Sequence, residues 1–354
     1  MSTLVKGLHH ITLCPGRAQE DVDFFTRVLA QRLVKQTVLL DGRVPVYHLY
    51  YGNGDADIGS ITTTFPYRRR PGRPGSGQVS ATTYSVPVGS LPFWAQHFDR
   101  HEAGHSGIQE RFGSHFIRVR HPAGLLFELM ERAGDSRRAW STDDVSADEG
   151  IRGFFGAVMS VRETCEQEAF LIDALGFRKV GVDGPYHRLE IPGSGFGRTI
   201  DLLHEPDRAP GSWGFGEGTV HHIAFNVETD EAPAQQKALY EELGFTDVSE
   251  LKDRYYFHSV YVRSPGGVLV ECTSNVPGGF YIDEAHDALG MQLHLPPWYE
   301  EQREAILAML EPIVVPEANR PKPGMTYVAQ SVPARSVPRD QFSRTKADFV
   351  RKER

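Results

Sequence analysis

The chain has 354 residues, room for two domains with real cores, and its 40% hydrophobic and 24% charged content are those of an ordinary soluble globular protein. A net charge of -8 and a pI near 6.0 give no reason to expect nucleic acid or an anionic membrane as partner. No apolar signal core opens the sequence and no stretch approaches the ~20 apolar residues of a membrane span, so a cytoplasmic enzyme is expected, and the scattered Cys14, Cys165 and Cys272 fit a reducing compartment.

Taken in order, the sequence reads as four similar βαβββ units. Unit one (8–65) opens with a strand over 8–13 inside Gly7-Leu-His-His-Ile-Thr-Leu13. A helix over Ala18–Leu29 follows, striped by Val22, Phe25, Val28 and Leu29, then strands near 33–40, 44–51 and 58–64. Unit two (77–131) has a strand over Val79–Val86, a helix over Leu91–His101 and a hairpin that turns at Pro122-Ala-Gly and runs to Glu128. In unit three (153–205) the strand Phe154–Val161 precedes a helix over Cys165–Leu175 that Gly176 stops, with strands near 186–191 and 199–204. Unit four (219–273) repeats the paired His in Gly218-Thr-Val-His-His-Ile-Ala-Phe-Asn-Val227 and the Leu-Gly-Phe after its helix, and its hairpin turns at Pro265-Gly-Gly and runs to Glu271. In both hairpins the acid stands six residues after the proline, with Pro and Gly where a short loop needs them.

The polar stretch 131–150 reads as a linker. The expected organisation is an N-terminal pair of modules in 1–145, a C-terminal pair in 151–295, and a region 296–354 with a helix over Glu300–Leu310 and a charged, proline-dotted tail.

Side chains alternate along a strand, so each paired His offers one imidazole to a given cavity. His10, His222 and Glu271 would then be two imidazoles and a carboxylate on strands, a set that suits non-haem Fe(II) with open positions. Aligned on Gly153, unit three has Gly156 where units one and four have His10 and His222, and the first strand of unit two has no His, so a metal within one chain must be shared by units one and four. Units two and three would then form a metal-free cavity; sharing across a dimer is the other geometry. If Ser264 pairs with Val268, Tyr261 lies opposite Glu271, and Thr12 shares a face with His10. His9 and His221 point away in an ideal strand, which suits support of the ligands or packing, and an acid or base role for them needs strand twist or a bulge. Glu128 reads as structural, Arg68–Arg73 as a basic surface loop, and His48, His115, His187 and His258 as core or surface residues.

Four such units with strand-borne His and a Pro-x-Gly-x-x-x-Glu hairpin resemble the vicinal oxygen chelate superfamily, an α+β fold of βαβββ modules paired into two open barrel-like sheets. Within it the chain is most similar to the hydroquinone ring-cleaving dioxygenases over about residues 8 to 295. The resemblance rests on Leu8-His-His-Ile-Thr, Val46-Tyr-His-Leu-Tyr-Tyr51, Thr63-Thr-Phe-Pro66, Asp201-Leu-Leu-His-Glu-Pro-Asp-Arg208, Gly211-Ser-Trp213 and Glu217-Gly-x-x-His-His222. It implies Fe(II) held by His10, His222 and Glu271, with O2 and a substituted hydroquinone, a small aromatic, as substrates; a homo-oligomer is expected. It also implies His9, Thr12, His221, Arg254 and Tyr261 around the metal. Glyoxalase I adds a fourth ligand from the last strand of the paired unit, whereas Ile58-Gly-Ser-Ile-Thr-Thr-Thr64 offers no acid. A catechol-type dioxygenase, a metal-dependent isomerase and a non-catalytic aromatic-binding module are the rival readings.

Overall fold

The computed structural model describes residues 4–41, 44–68, 70–193 and 195–321. Every unit folds in the expected order. Unit one comprises β1 (Val5–Cys14), α1 (Ala18–Asp23), β2 (Arg32–Val38), β3 (Tyr47–Gly52) and β4 (Ile61–Thr64), and unit two β5 (Gln78–Val86), α2 (Leu91–Arg100), β6 (His105–Arg111), β7 (Ser114–Arg120) and β8 (Leu126–Glu131). Unit three is β9 (Gly153–Val161), α3 (Cys165–Leu175), β10 (Arg178–Asp183), β11 (Tyr186–Glu190) and β12 (Thr199–His204). Unit four is β13 (Thr219–Val227), α4 (Ala232–Glu242), β14 (Lys252–Asp253), β15 (Phe257–Arg263) and β16 (Leu269–Asn275).

Local chemistry accounts for the element ends. Gly176 caps α3 at φ +74°, a left-handed geometry that glycine adopts without a Cβ clash. The helix expected over 18–29 is α-helical only to Asp23 and continues as a π-turn over Phe24–Val28, where Leu29 N–H reaches back to Phe24 O at 3.0 Å. The wider turn lets two consecutive rings both pack inward: Phe25 stacks on Tyr51 at 4.2 Å and Phe24 meets His121 edge-on at 4.6 Å.

The strands form two eight-stranded sheets with the same order of parts. One runs β14-β15-β16-β13-β1-β4-β3-β2 and the other β10-β11-β12-β9-β5-β8-β7-β6. Unit one therefore joins unit four through antiparallel β1–β13, and unit two joins unit three through antiparallel β5–β9. Within each unit the first and last strands are parallel neighbours, as in β1–β4 and β13–β16. The stretch 131–150 is packed and not loose: Trp140 and Val145 are buried, and Arg137 donates to Gly59 O and Phe154 O at 2.8 Å, one carbonyl from each sheet's neighbourhood.

After β16 the chain crosses the first sheet and covers edge strand β2. His294 N donates to Gln36 O at 2.9 Å, Leu33 N donates to Asn319 Oδ1 at 2.7 Å, and the buried Lys35 ammonium holds Asp283 at 2.7 Å and Glu284 closer still. Backbone groups that an edge strand would leave open are thereby satisfied. Helix is found here as a 3-10 stretch over Pro297–Gln302 leading into α5 (Arg303–Met309), and the tail beyond 321 lies outside the described residues. No helix among the described residues is long and apolar enough to cross a membrane.

Candidate metal centre and active site

The register of three central strands brings the distant residues together. His10 of β1 stands opposite Ala224 of β13, and Ala224 opposite Glu271 of β16, so one rung carries His10 and Glu271 with only a methyl group between. His222, two residues from Ala224, shares its face and stands opposite Thr12. The result is a buried cluster of His10, His222 and Glu271 whose ligand atoms all lie within 4.8 Å of one another. The Nε2 atoms of His10 and His222 are 3.1 Å apart, and Glu271 Oε2 lies 3.3 Å from the first and 2.8 Å from the second.

Three features make this a cradle for a cation. Glu271 Oε2 is buried without a well-aligned hydrogen-bond partner, an expensive omission in a core. Glu271 Oε1 takes the Ser259 hydroxyl, which fixes the carboxylate and leaves Oε2 turned to the imidazoles. Each imidazole also has its other nitrogen occupied: His10 Nδ1 lies 2.9 Å from His9 Nδ1, and His222 Nδ1 2.7 Å from His221 Nδ1. When the cluster-facing Nε2 atoms keep their lone pairs, each Nδ1–H donates to its neighbouring His, the outer-shell support that metal-binding imidazoles need. Burial pushes the Glu271 carboxyl up, but His10 and His222 outweigh it and hold the group well below the usual carboxylate range.

His9 and His221 reach these positions through bulges. The β1–β13 ladder slips by one residue between Leu8 and His10 and again at Val220–His222, leaving His9 and His221 without partners across the strands. An extra residue turns the side chain from the face that strict alternation assigns it. The two neighbours then differ. His9 is buried, its Nε2 donates to Asn275 Oδ1 at 2.8 Å, and burial followed by repulsion from His10 holds its pKa down to about 3. His221 faces the cavity, packed on Phe215 with ring centres 3.7 Å apart. With Nδ1 accepting from His222, the His221 proton resides on Nε2.

Beside the cluster lies a cavity of about 590 Å³ lined by Leu40, Val46, Phe65, Phe257 and Leu269, with His10, His222, Arg254 and Tyr261 in its wall. Its size and mostly apolar lining suit a small aromatic molecule. A smaller cavity of about 350 Å³ adjoins it through His221, His222, Phe215 and Leu269 but holds neither His10 nor Glu271. Tyr261 stands opposite Glu271, and Ser264 N donates to Val268 O at 2.9 Å, as the hairpin spacing requires. Arg254 Nε donates to Tyr261 Oη at 3.1 Å. Thr12 Oγ1 lies 2.8 Å from His222 Nε2 and 2.6 Å from Thr63 Oγ1. Cys272, next to Glu271, faces the other way and meets Tyr240.

The structure adds residues that sequence spacing did not single out. His48 lines the cavity, with Nδ1 2.9 Å from Tyr50 Oη, where a core or surface role was expected; its i, i+2 relation to Tyr50 was the available signal. Arg70 of the basic loop also reaches the cavity, over the rings of Tyr67 and Phe215 at 5.6 and 5.5 Å. Asn275, Ser259 and Asp41 complete the surroundings; Ser259 shares a face with Tyr261, but nothing in the sequence marks the other two. Glu128 is held by Arg111 and Arg118 at 2.7 and 2.6 Å, away from the cluster.

No family model matches the chain. A chlorohydroquinone/hydroquinone 1,2-dioxygenase of Sphingobium indicum is 40% identical over 316 residues, covering 88% of this chain and 98% of that protein. A solved structure of a candidate dioxygenase from Bacillus subtilis aligns with a TM-score of 0.83 at 36% identity, covering 89% of this chain and 99% of the other. Glyoxalase I of Zea mays shares the fold alone, at a TM-score of 0.52 and 14% identity over 76% of this chain and 92% of that one.

Proposed function

The chain belongs to the hydroquinone-type ring-cleaving dioxygenases of the vicinal oxygen chelate superfamily, and on that premise we propose that it adds both atoms of O2 to a substituted hydroquinone using Fe(II) held by His10, His222 and Glu271. The observation that carries this reading is the buried three-residue cluster opening onto an apolar cavity. The β4 residue that corresponds to Glu271 is Thr63, which stands opposite Thr12 as Glu271 stands opposite Ala224, so unit one brings no carboxylate as a fourth ligand. Three protein ligands leave positions free, and bound Fe(II) would use them to hold a phenolate and O2 side by side and let electron density move from ring to oxygen.

The chain's own residues would supply orientation and protons. The apolar wall of Phe65, Phe257 and Leu269 holds the ring and excludes water. Because a guanidinium only donates, Tyr261 oxygen accepts from Arg254 and its own O–H is free to donate toward a reactant oxygen. Arg254 sets a fixed positive charge beside the developing anion. His221 presents Nε2–H to the cavity and acts as a second donor, whereas His9, tied between His10 and Asn275, orients the ligand imidazole. Thr12 stands opposite His222 and also bonds Thr63, so it can release His222 Nε2 to the metal and keep a hydrogen bond of its own. Addition of O2 would open the ring beside a hydroxyl-bearing carbon, with both oxygen atoms retained in the ring-opened semialdehyde.

The test is O2 consumption by protein reconstituted anaerobically with Fe(II), compared across hydroquinone, chlorohydroquinone, methylhydroquinone and catechol. Turnover of hydroquinones with one O2 consumed per ring opened is expected. Faster turnover of catechol would assign the chain to extradiol chemistry, and product formation without O2 would make it an isomerase.

A further inference from the structure

The orientation of Tyr261 depends on a contact that crosses from unit four to unit one. Arg254 sits in the turn between β14 and β15, its backbone N–H bonded to Phe257 O at 2.9 Å. Its side chain is held at two points. Nε donates to Tyr261 Oη at 3.1 Å, and Nη1 donates to the Asp41 carboxylate, which follows β2 in unit one. Asp41, Arg254 and Tyr261 all border the same cavity. The guanidinium is planar and rigid, so fixing Nη1 fixes the direction of Nε–H.

We propose that Asp41 is a positioning residue for turnover, acting through Arg254 on Tyr261; the proposal rests on the ring-cleaving reading above. While Asp41 anchors Nη1, Nε–H stays on the Tyr261 oxygen and the Tyr261 hydrogen is turned away from Arg254. Without that anchor the guanidinium has another resting place, flat over the Tyr261 ring, whose centre already lies 5.2 Å from Cζ. Tyr261 oxygen then loses its donor, and its hydroxyl is free to rotate. Asp41 follows β2, outside the three strands that carry the cluster, so its loss should leave metal binding intact.

A double-mutant cycle separates this from a structural role. Wild type, Asp41→Ala, Tyr261→Phe and the double variant are loaded with Fe(II), checked for equal iron content and unchanged thermal melts, and assayed with hydroquinone. Asp41→Ala should lower kcat and kcat/KM together, roughly tenfold, because the interaction serves the transition state. The double variant should fall within about twofold of Tyr261→Phe alone, since both changes remove one function. Anaerobic calorimetry with hydroquinone gives a readout apart from turnover: ground-state affinity should change less than kcat. If Asp41→Ala does not fold, Asp41→Asn takes its place in the cycle. Losses that multiply to about a hundredfold, or an Asp41 variant as fast as wild type, overturn the role of Asp41 while leaving the dioxygenase reading intact. A wild type inert toward hydroquinone and O2 overturns both.

Discussion

Replacing Asn275 tests how the candidate metal centre is supported, because Asn275 touches none of the three cluster residues' ligand atoms and acts through His9. Its Oδ1 accepts from His9 Nε2 at 2.8 Å, and that bond keeps the His9 proton on Nε2 so that Nδ1 can accept from His10, 2.9 Å away. Asn275→Leu removes the acceptor inside a site where His9 is 1% exposed. His9 then has two poor choices. Keeping the proton on Nε2 leaves a buried donor unpaired, at about 1–3 kcal/mol. Moving it to Nδ1 sets two N–H groups facing each other and forces His10 to turn. Either route weakens His10 as a ligand, and outer-shell losses of this kind cost about 10–100-fold in metal affinity, or about 1.4–2.7 kcal/mol. Competition against a chelator of known affinity measures this directly, with kcat per bound iron as the second readout. Fe(II) should bind 10–100-fold more weakly while kcat per iron changes little. Asn275→Asp, which keeps the acceptor, should bind at least as tightly as wild type. Equal affinity for wild type and Asn275→Leu would refute the relay from Asn275 through His9 to His10.

His222→Ala should lose iron and turnover together, whereas Tyr261→Phe should keep iron and slow turnover roughly tenfold; iron analysis beside O2 uptake separates the two, and unchanged turnover in Tyr261→Phe would remove that hydroxyl from the reaction. Metal-depleted protein should lose stability as pH falls from 7 to 5. His9 has its pKa held to about 3 in the folded chain, against about 6.5 unfolded, so the unfolded state binds more protons in that window, at a cost of about 2 kcal/mol. His221, also held down by burial, acts in the same sense, and urea melts at the two pH values in the presence of chelator would show the decline. Glu271 contributes in a lower window: its depressed pKa stabilises the fold above about pH 4.3 and that stability is lost as the group protonates below it. Arg111→Met should destabilise the fold by about 1–3 kcal/mol, because the buried Glu128 and Asp201 each lose one of two guanidinium partners and keep Arg118 and Arg188, without changing iron content.

Much of this arrangement was legible in the sequence because it is written locally and then repeated. The paired His, the Leu-Gly-Phe after each of two helices and the Pro-x-Gly turns recur at matching places, and strand alternation alone sets Tyr261 across from Glu271. Pairing of unit one with unit four followed from Gly156, which denies unit three a ligand. Two things were not legible. Bulges at His9 and His221 depend on how two strands 212 residues apart slide past each other, so alternation within either strand points both rings the wrong way. Asp41 and Asn275 owe their roles to contacts spanning 213 and 266 residues, and neither neighbourhood has a motif to announce them.

The two sheets, built alike, explain why a single metal centre is expected. On the first, the rung His10–Ala224–Glu271 is flanked by Tyr261 opposite the acid. The corresponding rung of the second is Gly156–Thr83–Glu128, flanked by Arg118 opposite the acid. The carboxylate is kept and the imidazole is missing. Space forbids restoring it, because a Cβ on Gly156 would stand 2.1 Å from Thr199 O, backbone that cannot yield without breaking the β9–β12 ladder. Glu128 instead takes Arg111 and Arg118, and Arg111 and Arg188 together hold Asp201 at 2.8 and 2.7 Å, so buried charge is balanced by guanidinium groups. Where the first sheet leaves an acid oxygen and two imidazole lone pairs facing one another, the second has already paired its acid. An ion added to the second sheet would have to displace two arginines, and one added to the first displaces only the Thr12 hydroxyl from His222 Nε2.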